Sequence, residues 1–215
     1  RCGGHGHLGP DPDRPAQRLL ICRRYRGAMH TAIARLLTPD GAETYARLRT
    51  AMLIDVPHAF GSSPGEGKGE RADEVMKYLS DPDHAIAVID HPDASGELAA
   101  AAGIMRVPNL KMRHRAGIWG VYCVPELRGL GLGLAVVLRV IEQAREWDGV
   151  ETVGLSVSAH SPQALALYES LGFEQWGTEP DAMRIEGESF DEIHLALRME
   201  SHVEAAAPDG FAAQR

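Results

Sequence analysis

Cysteine is scarce in this sequence: Cys2, Cys22 and Cys123 are the three present among 215 residues. They neither pair evenly nor form a C-x-x-C spacing, so no disulfide framework or zinc site is indicated and a reducing, cytoplasmic setting is the default. The ten histidines show no ligand spacing, and no metal is expected. Positive charge is also in deficit, with 22 Lys and Arg against 30 Asp and Glu and a net charge of -8. Phosphate affinity rests on clustered Lys and Arg, so general nucleic-acid binding is disfavoured and an amine-bearing partner suits the balance better. No apolar run is long enough to span a bilayer, and Leu-Leu-Ile-Cys at 19–22 is too short for a signal-peptide core, so no membrane role is expected. No internal repeat is visible.

What remains is enough for one substantial core, with 44% hydrophobic residues. Residues 1–28, rich in Gly, Pro, Arg and His, are expected to form a disordered extension, with Met29 as the natural start. Residues 29–200 make the folded domain, and 201–215 a flexible tail. Within the domain the patterning predicts a strand at 31–37, a helix at 40–54 capped by Asp40, a Gly-rich loop from Gly61 to Gly69 and a helix near 70–80. Strands follow at 84–90, 97–107 and 115–124, the last stopped by Pro125. A helix over about 131–147 carries Leu134, Val137, Leu138, Ile141 and Ala144 at the spacing of a buried face. After a strand at 151–157 comes a helix that Ser161 caps, Pro162 opens and Gly172 closes, then strands near 173–178 and 192–199. The order implies a mixed α/β sheet with helices on its faces.

The segment Arg128-Gly129-Leu130-Gly131-Leu132-Gly133 lies between a strand end and a helix start. There unpaired N–H groups and the positive end of the helix dipole can receive an anion, and alternating glycines let a ligand approach the backbone. A dinucleotide loop is excluded because Leu134 stands where a third glycine is required, and the next strand ends without a ribose-binding acid. Gly4 to Gly9 does match G-x-G-x-x-G but follows no strand and opens no helix. Ser62 to Gly69 fails as a phosphate loop at both ends, with Ser62 for the first glycine and Gly69 for the hydroxyl residue.

The segment resembles the GNAT superfamily of acetyl-CoA-dependent N-acetyltransferases, whose loop reads Arg or Gln, two residues, Gly, one residue, Gly or Ala; Arg128, Gly131 and Gly133 fill that pattern. The resemblance continues through Leu155-Ser156-Val157 and through Ala164 to Phe173, which match the family's A-x-x-L-Y-x-x-x-G-F stretch. More weakly, Tyr45 to Arg49 and Ala59 to Ser63 resemble its first helix and following loop. The resemblance implies a mostly antiparallel central sheet, flanked by helices, whose strands four and five splay apart. Acetyl-CoA would be the acyl donor, its pyrophosphate held by Arg128, Gly129, Leu130, Gly131, Leu132, Gly133 and Leu134. The pantetheine arm would lie along Tyr122, Cys123 and Val124, with a backbone N–H near Tyr122 or Val124 serving the oxyanion. A primary amine of a small molecule or peptide would attack the thioester directly in a ternary complex, and Tyr168 would act as general acid to the leaving thiolate. The competing reading is a catalytically silent acyl-CoA sensor, which would keep the loop without needing Tyr168. Homodimers are common among such proteins. Two departures stand out: Ser161 occupies the place of a frequent Asn, and residues 115–122 lack the carboxylate that many relatives use as base.

Cys123 beside the cofactor strand would suit an acyl-cysteine, but no histidine is positioned by sequence to activate it, so it reads as a buried strand cysteine. His160 reads as a solvated loop histidine. Glu186, Glu188, Asp191 and Glu192 read as a solvated hairpin near the acceptor side, able to attract a cationic amine. Trp119 and Tyr122 are placed either along the acceptor cleft or in the sheet face.

Overall fold

The computed structural model describes residues 33–199. The expected extension 1–28, Met29 and the tail 201–215 lie outside the described residues. Seven strands are linked in the order β1-β2-β3-β4-β5-β7-β6: β1 Arg35–Leu36, β2 His84–Asp90, β3 Leu98–Arg106, β4 Arg115–Cys123, β5 Thr152–Ser158, β6 Glu174–Ile185 and β7 Glu188–Arg198. Every adjacent pair is antiparallel except β4 with β5. The helices are α1 Ala42–Asp55, α2 Ala72–Leu79, α3 Leu132–Glu146 and α4 Pro162–Ser170. The expected mixed, mostly antiparallel sheet is therefore present.

Both sheet faces are covered, which explains why β2 is apolar at successive positions rather than alternating. Ala85, Ala87 and Ile89 face α3, whereas Ile86 and Val88 meet Tyr45, Met52 and Leu53 of α1 and Val75 of α2. Alanines at 99, 100 and 102 of β3 keep the α3 side shallow enough for that helix to pack closely.

Several local expectations shift. Pro39–Gly41 forms a separate 3-10 turn, so the residue preceding α1 is Gly41, and Asp40 does not cap it. The buried stripe of α3 is Leu132, Val136, Val137, Val140, Ile141 and Ala144; Leu134 is half-buried, and Leu138 is 41% exposed. Val137, Ile141 and Ala144 are thus buried as expected, while Leu132, Val136 and Val140 complete the stripe in place of Leu134 and Leu138. Strands β6 and β7 run closer together than expected, because Glu186 (φ 51) and Gly187 (φ 86) make a two-residue hairpin turn with both residues left-handed. No described helix is long and apolar enough to cross a membrane.

Candidate active site

The centre of the sheet is where the candidate chemistry gathers. Parallel pairing of β4 with β5 stops after Arg115↔Thr152, Ala116↔Val153 and Gly117↔Gly154, while β5 continues to pair with β7 as far as Ser158↔Glu192. Beyond Gly117 the two central strands part, as the resemblance implied, and leave facing backbone edges. A bulge follows in β4: Gly103 pairs with Trp119 but Ala101 with Tyr122, and Gly120 takes φ 61. The extra residue turns Trp119 and Tyr122 to the same face, against α1 and α2, although an odd spacing would normally separate them.

After β4, Pro125–Leu127 makes one 3-10 turn, and Gly129 (φ 75) and Gly131 (φ 86) are left-handed. The first α3 bond runs from Ala135 N–H to Gly131 O at 3.1 Å. The backbone N–H groups of residues 129–134 consequently donate to no acceptor among the described residues. A Cβ added at Gly131 or Gly133 would meet nothing within 4 Å. Gly131 is explained by its φ, but Gly133 is helical and nothing in the fold crowds it. A glycine there costs helix stability without relieving any contact inside the protein. Gly129, Leu130, Gly131, Leu132, Gly133 and Leu134 thus form an open cradle of donors at a helix N-terminus, which fits a pyrophosphate.

The Arg128 side chain points elsewhere. Its Nε donates to Cys123 O at 3.1 Å, its Nη2 pairs with Asp55 Oδ2, and its guanidinium lies 5.6 Å from the Tyr122 ring centre. Tyr122 donates its hydroxyl to the same Asp55 oxygen at 3.1 Å. Asp55, at the end of α1, thereby latches the start of the loop. Val124 donates its N–H to Ala99 O at 2.9 Å, which corrects the expectation that it faces the parted edge. Hydrogen-bonding direction alternates along a strand, so Tyr122 shares the β3 side and Cys123 N–H is directed toward β5.

Tyr168 is 5% exposed, its ring 5.9 Å from Phe173, and its hydroxyl has no hydrogen-bond partner among the described residues. Burial raises its pKa well above the ordinary tyrosine value. Ser161 precedes α4 and its carbonyl receives the N–H groups of Ala164 and Leu165, each at 3.1 Å, but its hydroxyl makes no capping bond. At the other end Gly172 (φ 85) donates to Glu169 O and Phe173 N–H to Tyr168 O, at 3.0 and 3.1 Å, the double bond of a Schellman turn. The Cys123 thiol donates to Val124 O at 3.6 Å, and burial pushes it up to about 12. His160 is drawn onto Phe190, edge to face at 4.9 Å.

A cavity of about 460 Å³ lies between α1, α2 and the sheet. Its walls include Trp119 and Gly120 of β4, Ser156 of β5 and Glu192 of β7, so it reaches the parted strands. Tyr45 and Arg49 of α1 also line it; the resemblance placed this first helix where the acceptor site is shaped, without a role for either residue. The available signal was position, since Arg49 falls between Tyr45 and Met52 on the buried stripe of that helix. Of the acidic stretch, Glu186 and Glu188 are exposed and Asp191 accepts from Asp181 N–H at 2.8 Å, leaving Glu192 at the cavity. The β6–β7 register also brings Glu179, Glu192 and His194 ligand atoms within 4.8 Å of one another, a grouping that sequence spacing did not reveal.

The profile of the acetyltransferase (GNAT) family matches residues 53–173, more than half of the chain. A protein of Escherichia coli named uncharacterized N-acetyltransferase YjgM is 34% identical over 102 residues, covering 47% of this chain and 58% of that one. The mycothiol acetyltransferase of Paenarthrobacter aurescens is 31% identical over 149 residues, covering 66% of this chain and 45% of that one. The matches thus span only about half the length of these relatives. Among solved structures, yncA of Salmonella typhimurium, determined with its cofactor acetyl-CoA, superposes with a TM-score of 0.67 at 19% identity, covering 82% of this chain and 96% of that one. An acetyltransferase of the GNAT family from Streptococcus pneumoniae gives 0.66 at 22% identity, covering 78% and 99%. The parted parallel pair, the glycine cradle opening α3 and the profile match over 53–173 converge, and the chain belongs to the acetyltransferase (GNAT) family.

Proposed function

We propose that this chain transfers the acetyl group of acetyl-CoA to a primary amine of a small molecule or peptide by direct attack in a ternary complex. The observation that carries the proposal is the run of unbonded N–H groups at 129–134, with open space over Gly131 and Gly133, beside the end of β4. The neighbour solved with acetyl-CoA supports the choice of donor. When bound, acetyl-CoA supplies an acetyl group activated as a thioester.

Residues 129–134 offer their N–H groups to the pyrophosphate, and Arg128, latched to Asp55, fixes the loop rather than reaching outward. The parted edges of β4 and β5 hold the pantetheine arm, with Tyr122 and Val124 contributing strand geometry and Cys123 the free N–H. That N–H stabilises charge developing on the carbonyl oxygen. The amine enters from the cavity, its nitrogen bonds to the carbonyl carbon, and the carbon–sulfur bond breaks. Glu192, on the β7 wall, takes the amine proton, directly or through water; Glu74 is instead engaged by Gly69 N–H at 3.0 Å. Tyr168, kept protonated by burial, gives its proton to the departing sulfur and regains one from solvent. Ser161 borders the arm without a strong polar contact. Cys123 stays a thiol, so no acyl-cysteine step is required.

The test is thermal unfolding with and without acetyl-CoA, followed by thiol release with an amine panel. At a hundredfold excess over Kd the melting temperature is expected to rise by about 5–10 °C. Amine-dependent thiol release then establishes transfer, whereas an unchanged melting temperature at saturating acetyl-CoA sinks the proposal.

A further inference from the structure

The acceptor cavity holds two polar groups that the fold leaves short of partners. Arg49 is 5% exposed. Its Nε donates to Lys68 O at 3.2 Å and its Nη1 contacts Met52 Sδ at 3.4 Å, while Phe60 and Trp119 rings lie 5.4 and 5.8 Å from the guanidinium carbon. No carboxylate oxygen among the described residues comes within 4.0 Å of the guanidinium. A guanidinium carries five N–H donors, and burying its charge is costly unless an anion compensates it. Tyr45 is 0% exposed, and its hydroxyl is the buried side-chain polar atom without a hydrogen-bond partner among the described residues. Buried polar groups are almost always satisfied.

These two groups converge on one place. The Cβ position above Gly120 lies 3.7 Å from Arg49 Nη1 and 3.8 Å from Tyr45 Oη. Gly120 is left-handed at φ 61, so the bulge of β4 both requires a glycine and keeps that place free of a side chain. The spot is lined by one guanidinium donor, Arg49 Nη1, and a phenol donor, a charge-assisted pair that receives a carboxylate. Among the described residues that line the cavity, Arg49 is the cation directed there: Lys68 also borders it, but its Nζ pairs with Glu66 at 3.7 Å. With Glu74 and Glu192 on the walls, a dianion would meet more repulsion than one guanidinium offsets. The opposite wall, Ser156 and Glu192 at the parted strands, suits the amine.

We infer that the acceptor is an amino carboxylate, whose carboxylate is received by Arg49 and Tyr45 above Gly120 while its amine faces Glu192. The inference rests on the acetyl-transfer reading above and narrows it to a substrate class. It makes Arg49 a specificity-determining residue rather than a tether for the loop at Lys68.

The experiment uses the full chain with acetyl-CoA and matched acceptors that differ by one carboxylate: L-phenylalanine against phenethylamine, L-leucine against 3-methylbutylamine, L-arginine against agmatine. At least one amino acid is expected to exceed its decarboxylated partner in kcat/KM by about 100-fold. Arg49→Met should abolish that preference by raising KM for the amino acid, leaving KM for acetyl-CoA within about twofold; Arg49→Lys should restore part of it, and Tyr45→Phe should cost about tenfold in the same KM. Quenching of tryptophan fluorescence by the amino acid in the presence of CoA gives a readout independent of turnover, since Trp119 borders the site. If Arg49→Met does not fold, the wild-type pairs and Tyr45→Phe carry the test. The inference is overturned if acetyl-CoA stabilises the protein but the bare amines serve as well, if no amino acid binds or reacts, or if Arg49→Met keeps the preference. Failure of acetyl-CoA to stabilise the protein would instead bring down the transfer reading itself.

Discussion

Tyr168 and Cys123 illustrate how one physical effect assigns opposite roles to two side chains of the same core cluster. Burial raises the pKa of both. For a proton donor that is an advantage, because the phenol stays neutral throughout the range in which an amine is a good nucleophile. Tyr168→Phe should therefore lower kcat by about 10- to 100-fold while KM for acetyl-CoA moves less than about threefold. An unchanged kcat would return Tyr168 to the core as a packing residue. For a nucleophile the same shift is disabling, since the thiolate is the reactive form. With the thiol pushed up to about 12, the peptide containing Cys123 should resist iodoacetamide in the native protein at pH 8 and react once it is unfolded. Rapid native alkylation at that pH, mapped by mass spectrometry, would contradict the burial argument.

At the level of elements, the loop opening α3 separates a binding role from a structural one. Gly133 is helical and uncrowded, so Gly133→Ala should raise the melting temperature of the ligand-free protein, through a gain of up to about 1 kcal/mol in helix propensity. The same methyl group would project into the cradle, and the Kd for acetyl-CoA should rise by about tenfold or more. A variant both more stable and unimpaired in binding would show that the cradle lies elsewhere. This loop was legible in the sequence because its determinants are local: a strand end, alternating glycines and an amphipathic run within a dozen residues. Gly172 closing α4 was legible for the same reason. The stripe of α3 was only partly legible: Val137, Ile141 and Ala144 are buried as expected, but which flank joins them, Val136 and Val140 rather than Leu134 and Leu138, is decided by how the helix lies on the sheet. Non-local features were not legible from the residues alone, and the parting of β4 and β5 was expected only through the resemblance. The bulge at Gly120 turns Trp119 toward α1 and the pairing of Val124 with Ala99 leaves Cys123 on the open edge, and both depend on register with β3.

Across the whole molecule, four of the five tyrosines, at 45, 78, 122 and 168, have pKa values raised chiefly by burial. They sit on both faces of the sheet, so their titration reports on global unfolding rather than on one site. In the unfolded chain a tyrosine loses its proton near pH 10. In the folded protein it does not: Tyr45 is pushed up from 10.0 to about 12. Below pH 10 both states hold the proton and the group leaves stability unchanged. Above it the unfolded state binds fewer protons than the native one, so the free energy of unfolding falls as pH rises, and for Tyr45 the window runs from 10 to about 12. The slope approaches about 1.4 kcal/mol per pH unit for each fully buried tyrosine. The melting temperature should thus be level from pH 8 to 9.5 and drop steeply beyond 10. Tyr45→Phe removes one of these titrations together with an unpartnered buried hydroxyl, so it should gain about 1 kcal/mol at neutral pH and show a shallower alkaline decline. Calorimetric scans between pH 8 and 11 on both proteins decide the matter: parallel declines would mean that the Tyr45 hydroxyl titrates alike in the folded and unfolded chains and is not held protonated by burial.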